Sequence, residues 1–133
     1  MQFLKGITFA PFCPKGSFQT KEAYESFDNL VKGTGANFIT LVPNGLQETP
    51  QSEEISFTSD ASLSDEELIQ MIEYIHKAGL MIAIKPTVNC MNGTWRAHIN
   101  FFDKDVHCEP KWSKWFASYT AFQLHYAKIA QQT

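Results

Sequence analysis

HKAGLMIAIKPTVN (76–89) repeats a plan already laid down in GTGANFITLVPN (33–44). In each stretch a glycine is followed by a short apolar run, then a proline, then an asparagine. Neither run alternates apolar with polar residues as a half-solvated strand does. Strands that are apolar on both faces belong to parallel sheets covered by helices. How these two stretches are read therefore decides the fold.

What precedes each stretch reads as a helix. Ala23, Phe27, Leu30 and Val31 form one stripe over residues 20–35, with Thr20 placed to cap it and Gly33/Gly35 to end it. Ser64 and Glu67 have capping-box spacing, and Leu63 with Leu68 makes the hydrophobic staple. Leu68, Met71, Ile72, Ile75 and Ala78 continue one face until Gly79 stops it. A strand near GITFA (6–10) comes first. A third helix over 110–131 carries Trp112, Trp115, Phe116, Tyr119, Phe122, Tyr126 and Ile129, a wide stripe expected to pack on the core. The order β-α-β-α-β-α predicts a right-handed parallel α/β architecture.

Loop lengths are one-sided. Helix-to-strand links are hardly more than a glycine. Strand-to-helix links, by contrast, take APFCPKGSFQ, then PNGLQETPQSEEISFTSDASL, then the stretch from Lys85 onward, with 85–102 expected as a cleft wall. In parallel α/β folds those links share the carboxyl rim of the sheet, where sites are built. Three such units leave open edges. A closed eight-unit barrel takes ~250 residues, so residues 1–133 are expected to form one domain, the first part of such a barrel. The alternative is a small three-layer domain that pairs its edges in a homodimer.

The bulk composition excludes several classes. With 44% apolar and 19% charged residues the chain is an ordinary globular protein. A net charge of −3 and scattered lysines and arginines give no footprint for nucleic acid. No apolar run approaches the ~20 residues that cross a bilayer. MQFLKGITFAPF has no leader pattern, and Cys13, Cys90 and Cys108 lack CxxC spacing, so reduced thiols in a cytoplasm are expected. PFCPKGSFQT matches no phosphate-binding loop, and KGTG lies at the wrong end of the sheet. Cys90, His98, His107 and Cys108 do not repeat the ligand spacing of zinc sites, so neither a metal nor a cofactor is expected.

The third connector holds the candidates for binding. Lys85 emerges at the carboxyl end of its strand, either as a snorkelling lysine or as the charge partner of a carboxylate. Asn89 and Asn92 offer donors and acceptors for a hydroxyl-rich ligand. Trp95 offers a flat face to a sugar ring, or else a lid over its own loop. Arg96 and His98 are hydrogen-bond donors, with structural roles equally open. Asp103 and Asp105 read as solvated loop charges. Glu48, Glu53 and Glu54 share the second loop, but no pair of them forms an acid and a nucleophile. A thiol enzyme using Cys90 or Cys108 ranks last.

KGITFAPF (5–12), TGANFITLVPN (34–44), GLMIAIKPTVNCMNGTWRAHINF (79–101) and WFASYTAFQLHYAKIAQQT (115–133) together resemble the N-terminal part of glycoside hydrolase family 113, which contains β-1,4-mannanase-like enzymes. IKP with GTWR nearby, and Phe122 with His125, Tyr126 and Ala127, carry most of the likeness. The resemblance implies a (β/α)8 barrel and retaining hydrolysis by two glutamates, after the fourth and seventh strands. Retention needs the two carboxyls ~5–5.5 Å apart. Neither glutamate maps onto this sequence, so no catalytic residue is assigned and the chain alone is expected to be inactive. The resemblance places Lys85, Asn89, Trp95 and Arg96 in the sugar-binding shell, with an oligosaccharide or polysaccharide as partner. Thr87 departs from the family's usual histidine-type position after KP.

Overall fold

The computed structural model describes residues 3–10, 12–102 and 109–133. Among them run β1 (Gly6–Phe9), α1 (Lys21–Thr34), β2 (Phe38–Leu41), β3 (Asn44–Gln47), α2 (Asp65–Lys77), β4 (Met81–Ile84), β5 (Thr87–Cys90) and α3 (Glu109–Gln132). Short 3-10 turns stand at Ser17–Gln19 and Arg96–His98. Strands pair β1-β2-β4 and β3-β5, every pair parallel.

The helices begin and end as their sequences predict. Thr20 Oγ1 accepts the Ala23 N–H, and Gly35, at φ 62°, closes α1 with its own N–H on the Val31 carbonyl. Ser64 and Glu67 form the reciprocal capping box of α2, and Leu63 and Leu68 are both buried beside it. At the other end Gly79 N–H donates to His76 and Leu80 N–H to Ile75, the paired bonds of a Schellman cap. The chain then enters β4 at once.

The strands run further than the sequence reading had them. Asn44–Gln47 and Thr87–Cys90, both expected as loop, are strands. The register explains why. Phe38 stands opposite Met81 and Asn44 opposite Thr87, the same offset on either side of the prolines. β2 with β3, and β4 with β5, are thus two long strands in one ladder, and Pro43 faces Pro86 across it.

The rungs are repaired locally. Lys85 N–H donates to the Leu41 carbonyl (2.8 Å) and Thr87 N–H to that of Pro43 (3.0 Å). Pro43 has no N–H to give the Lys85 carbonyl, and Thr87 Oγ1 donates there instead, at 3.2 Å. In a parallel ladder successive residues point their amides to opposite sides, so Pro86 turns its missing donor away from β3 and costs no rung there.

The outer face of the sheet meets the helices. Ile39 and Leu41 are buried with Phe27, Met71, Ile72, Ile75, Phe122, Tyr126 and Ile129. Gly45 is on the same side, where an added Cβ would sit 2.6 Å from Ile55 Cγ2 and 2.9 Å from the Phe122 ring. The α3 stripe is narrower than expected. Phe122, Tyr126 and Ile129 are buried, whereas Phe116 is 54% exposed and stacks on Trp112 at the surface. Among the described residues no helix is long and apolar enough to cross a membrane.

Candidate functional site

Alternation along the ladder puts Thr8, Val42, Asn44, Lys85, Thr87 and Asn89 on the face away from the helices. With Ala10, Phe12 and Arg96 they line a cavity of about 290 Å3 at the carboxyl ends of the strands. A second cavity, of about 500 Å3, shares Phe12, Asn89 and Arg96 and extends over Leu46, Cys90, Gly93, Thr94 and Trp95. All four residues picked from the sequence, Lys85, Asn89, Trp95 and Arg96, therefore line one continuous polar and aromatic rim.

A hydrogen-bond chain orders this rim. Asn89 Nδ2 donates to Asn44 Oδ1 at 2.7 Å, which fixes the amide's orientation. The freed Asn89 Oδ1 then accepts from Arg96 Nη1 at 3.0 Å. Asn44 is buried, Asn89 half-buried and Arg96 exposed, so the chain runs from the core out to solvent. Among the described residues Arg96 is held at one nitrogen, which leaves other donors able to meet a ligand. Lys85 is exposed at the mouth of the smaller cavity. Among the described residues lining that cavity there are two cations and no carboxylate, a donor-rich surface suited to hydroxyl oxygens or a carboxylate.

Trp95 is 68% exposed, with the His98 ring edge-on to it at 6.2 Å. Its indole is open to solvent, and the His98 contact is within its own loop. His98 contributes its backbone N–H to the Trp95 carbonyl, closing the turn. Asn92 folds back, its Oδ1 accepting the Thr94 N–H at 3.0 Å.

The third connector divides in two. Up to Arg96 it lines the rim. Beyond His98 it leaves, and Phe101 is buried edge-on against Trp112 of α3 at 4.7 Å. The expected cleft wall 85–102 thus serves two places: its first half lines the rim, and Asn100, Phe101 and Phe102 line a separate cavity of about 200 Å3 with Gln51 and Lys111. Asp103, Asp105, His107 and Cys108 lie outside the described residues. Among the described residues no group of three or more His, Cys, Asp or Glu is placed to hold a metal. Burial pushes the Cys90 thiol up, the opposite of what a nucleophilic thiolate needs.

Sequence reasoning did not name Asn44 or Phe12 as site residues. The repeated proline–asparagine was the available signal for Asn44. It also passed over a cavity of about 970 Å3 between the second loop and α3. There Lys114 Nζ pairs with Glu53 at 3.3 Å and Ser118 Oγ accepts the Ile55 N–H. Gln47 braces this region, accepting from Trp115 Nε1 at 2.9 Å and donating to the Thr49 carbonyl at 2.7 Å.

Parallel strands, helices on one face and a polar rim at the carboxyl ends define part of a (β/α) barrel, and that rim is where barrel folds build their sites. The sequence matches Glycoside Hydrolase Family 113 over residues 7–133, and the chain belongs to that family. It is similar to a solved family-113 β-1,4-mannanase, with 47% identity and a TM-score of 0.88 over 98% of this chain and 42% of that one. β-Mannanase AaManA from Alicyclobacillus acidocaldarius, solved in complex with ManMIm, shares 37% identity and a TM-score of 0.85 over 98% of this chain and 41% of its own. The chain thus spans about two-fifths of the length of these structures. No curated protein matches it.

Proposed function

We propose that these 133 residues are the N-terminal, substrate-wall portion of a retaining glycoside hydrolase acting on a β-1,4-glycan, mannan or its oligosaccharides. The single observation that carries this is the Asn44–Asn89–Arg96 chain at the carboxyl rim, with Trp95 exposed beside it. An exposed indole stacks on the apolar face of a pyranose, while Arg96, Asn89 and Lys85 donate to its hydroxyls. The solved β-mannanase bound to ManMIm supports a sugar as the occupant. The family's acid and nucleophile map onto none of these residues, so the 133 residues orient a sugar without cleaving it. A cytosolic setting is part of this proposal, resting on the lack of CxxC spacing among Cys13, Cys90 and Cys108.

The test is titration of the chain with β-1,4-mannooligosaccharides, following the Trp95 indole resonance. Binding is expected, with Arg96→Ala weakening it about tenfold, a loss of ~1.4 kcal/mol. Absence of any shift with manno-, xylo- and cello-oligosaccharides alike overturns the sugar reading. Equal response to all three removes mannan as the preferred class. Hydrolysis of a mannooligosaccharide by the purified chain, free of contaminating activity, overturns the division of labour.

A second reading, a self-assembling half-barrel, rests on the far side of β4. Met81 and Lys85 donate their N–H groups toward β2, so alternation turns those of Ile82 and Ile84 to an edge that no strand among the described residues covers. A second copy pairing there would give a homodimer. Sedimentation at rising concentration decides it, since a monomer throughout excludes that pairing.

A further inference from the structure

Asparagine precedes glycine twice, at Asn44–Gly45 and Asn92–Gly93. A glycine nitrogen is unshielded by any side chain and is free to approach the preceding asparagine's Cγ. Whether it attacks depends on the backbone around it, and the fold treats the two pairs differently. Asn44–Gly45 lies inside β3, buried and in register with Thr87 and Val88, its amide engaged by Asn89. Asn92–Gly93 sits past the end of β5, exposed, with Gly93 at φ 80° and open space around its Cα.

We propose that Asn92 is a self-modification site, converted through a cyclic imide to aspartate and isoaspartate while the chain stays folded. Two features favour the reaction. Thr94 N–H donates to Asn92 Oδ1 at 3.0 Å, which polarises the side-chain carbonyl and stabilises negative charge on that oxygen in the tetrahedral intermediate. Among the described residues Gly93 N–H makes one long bond, 3.3 Å, to the Cys90 carbonyl. The Gly93 nitrogen attacks Asn92 Cγ and gives its proton to solvent base. The Cγ–Nδ2 bond breaks, and Nδ2 takes a proton and leaves as ammonia. Water then adds across either carbonyl–nitrogen bond of the ring, leaving one carboxylate and no net redox change.

The product matters because of where it forms. Met91, Gly93, Thr94, Trp95 and Arg96 all line the 500 Å3 cavity. Position 92 is not itself in that lining, but it stands between two residues that are, so a carboxylate there places negative charge four residues from Arg96 in the same loop. The isoaspartyl form also adds a methylene to the backbone just before Trp95. The effect on sugar binding rests on the function proposed above, whereas the modification itself does not.

The experiment holds the purified chain in mildly alkaline buffer at physiological temperature and maps its peptides by mass spectrometry over time. The Asn92 peptide is expected to gain the mass of the acid and split into two isomers, while the Asn44 peptide stays unchanged. In denaturant both are expected to convert. Asn92→Gln should remove the reaction at that position, and Gly93→Ala should slow it about tenfold, the factor that ~1.4 kcal/mol of added barrier gives. An unmodified Asn92 in folded protein, over a time that converts Asn44 in denaturant, overturns the proposal. So do equal rates at the two sites in the folded chain. If conversion occurs and oligosaccharide titration is unchanged, the modification stands and the cleft assignment falls.

Discussion

Glu67 is a carboxylate buried at the start of α2. Burial works to raise its pKa, yet the Gly16, Ser64 and Phe18 backbones and the Ser64 hydroxyl bond to it and hold it below its ordinary 4.5. It loses its charge at lower pH in the folded chain than in the unfolded one. Its contribution is therefore present above pH 4.5 and is lost as pH falls through the lower folded value. Glu67→Gln is expected to flatten that acid limb in urea titrations run across pH, and Glu67→Ala to cost about 1–3 kcal/mol at neutral pH by stranding buried donors. Tyr126 is the opposite case. Its hydroxyl is buried with no hydrogen-bond partner among the described residues, and burial, with the nearby Asp65, pushes it up to about 12. Tyr126→Phe removes an unsatisfied group, so the melting temperature should hold or rise.

At the scale of elements, the ladder through Pro43 and Pro86 makes a sharp prediction. Thr87→Val leaves the Lys85 carbonyl unserved and should cost about 1 kcal/mol in chemical denaturation. In a Pro43→Ala background, where the backbone N–H returns, the same change should cost less, and a double-mutant cycle measures the difference. Gly45→Ala drives a methyl into Ile55 and Phe122 and should cost about 1–3 kcal/mol. The same elements show what a sequence can disclose. Helix ends were legible because Thr20, Ser64, Glu67, Gly35 and Gly79 each perform a local task that depends on a few neighbours. β3 and β5 were not. Asn44, Thr87 and Asn89 are polar because they face a cavity, and a proline inside a strand is tolerated here only because a threonine two residues past Lys85 returns a hydroxyl to it. Neither condition shows without the neighbouring strand.

For the whole molecule, the parallel order and the one-sided investment in connectors were readable from loop lengths. Lys85, Asn89, Trp95 and Arg96 do converge at that rim. The departure of 98–102 toward α3 was not readable, since Phe101 finds Trp112 only once the helix is in place. The uncovered edge of β4 belongs to this scale as well. If copies pair there, Ala83→Lys, an inward charge on an edge strand, should leave a monomer at every concentration that sedimentation samples.

The shared register of the two proline-bearing strands has a thermodynamic corollary. Asn44, Lys85, Thr87 and Asn89 are spaced by the pleat of a ladder rather than by a loop's conformation, so most of the ordering cost of assembling them has been met during folding. Calorimetry on a ligand seated between them should therefore show little conformational entropy loss from the backbone, with the residual penalty confined to Trp95 and Arg96.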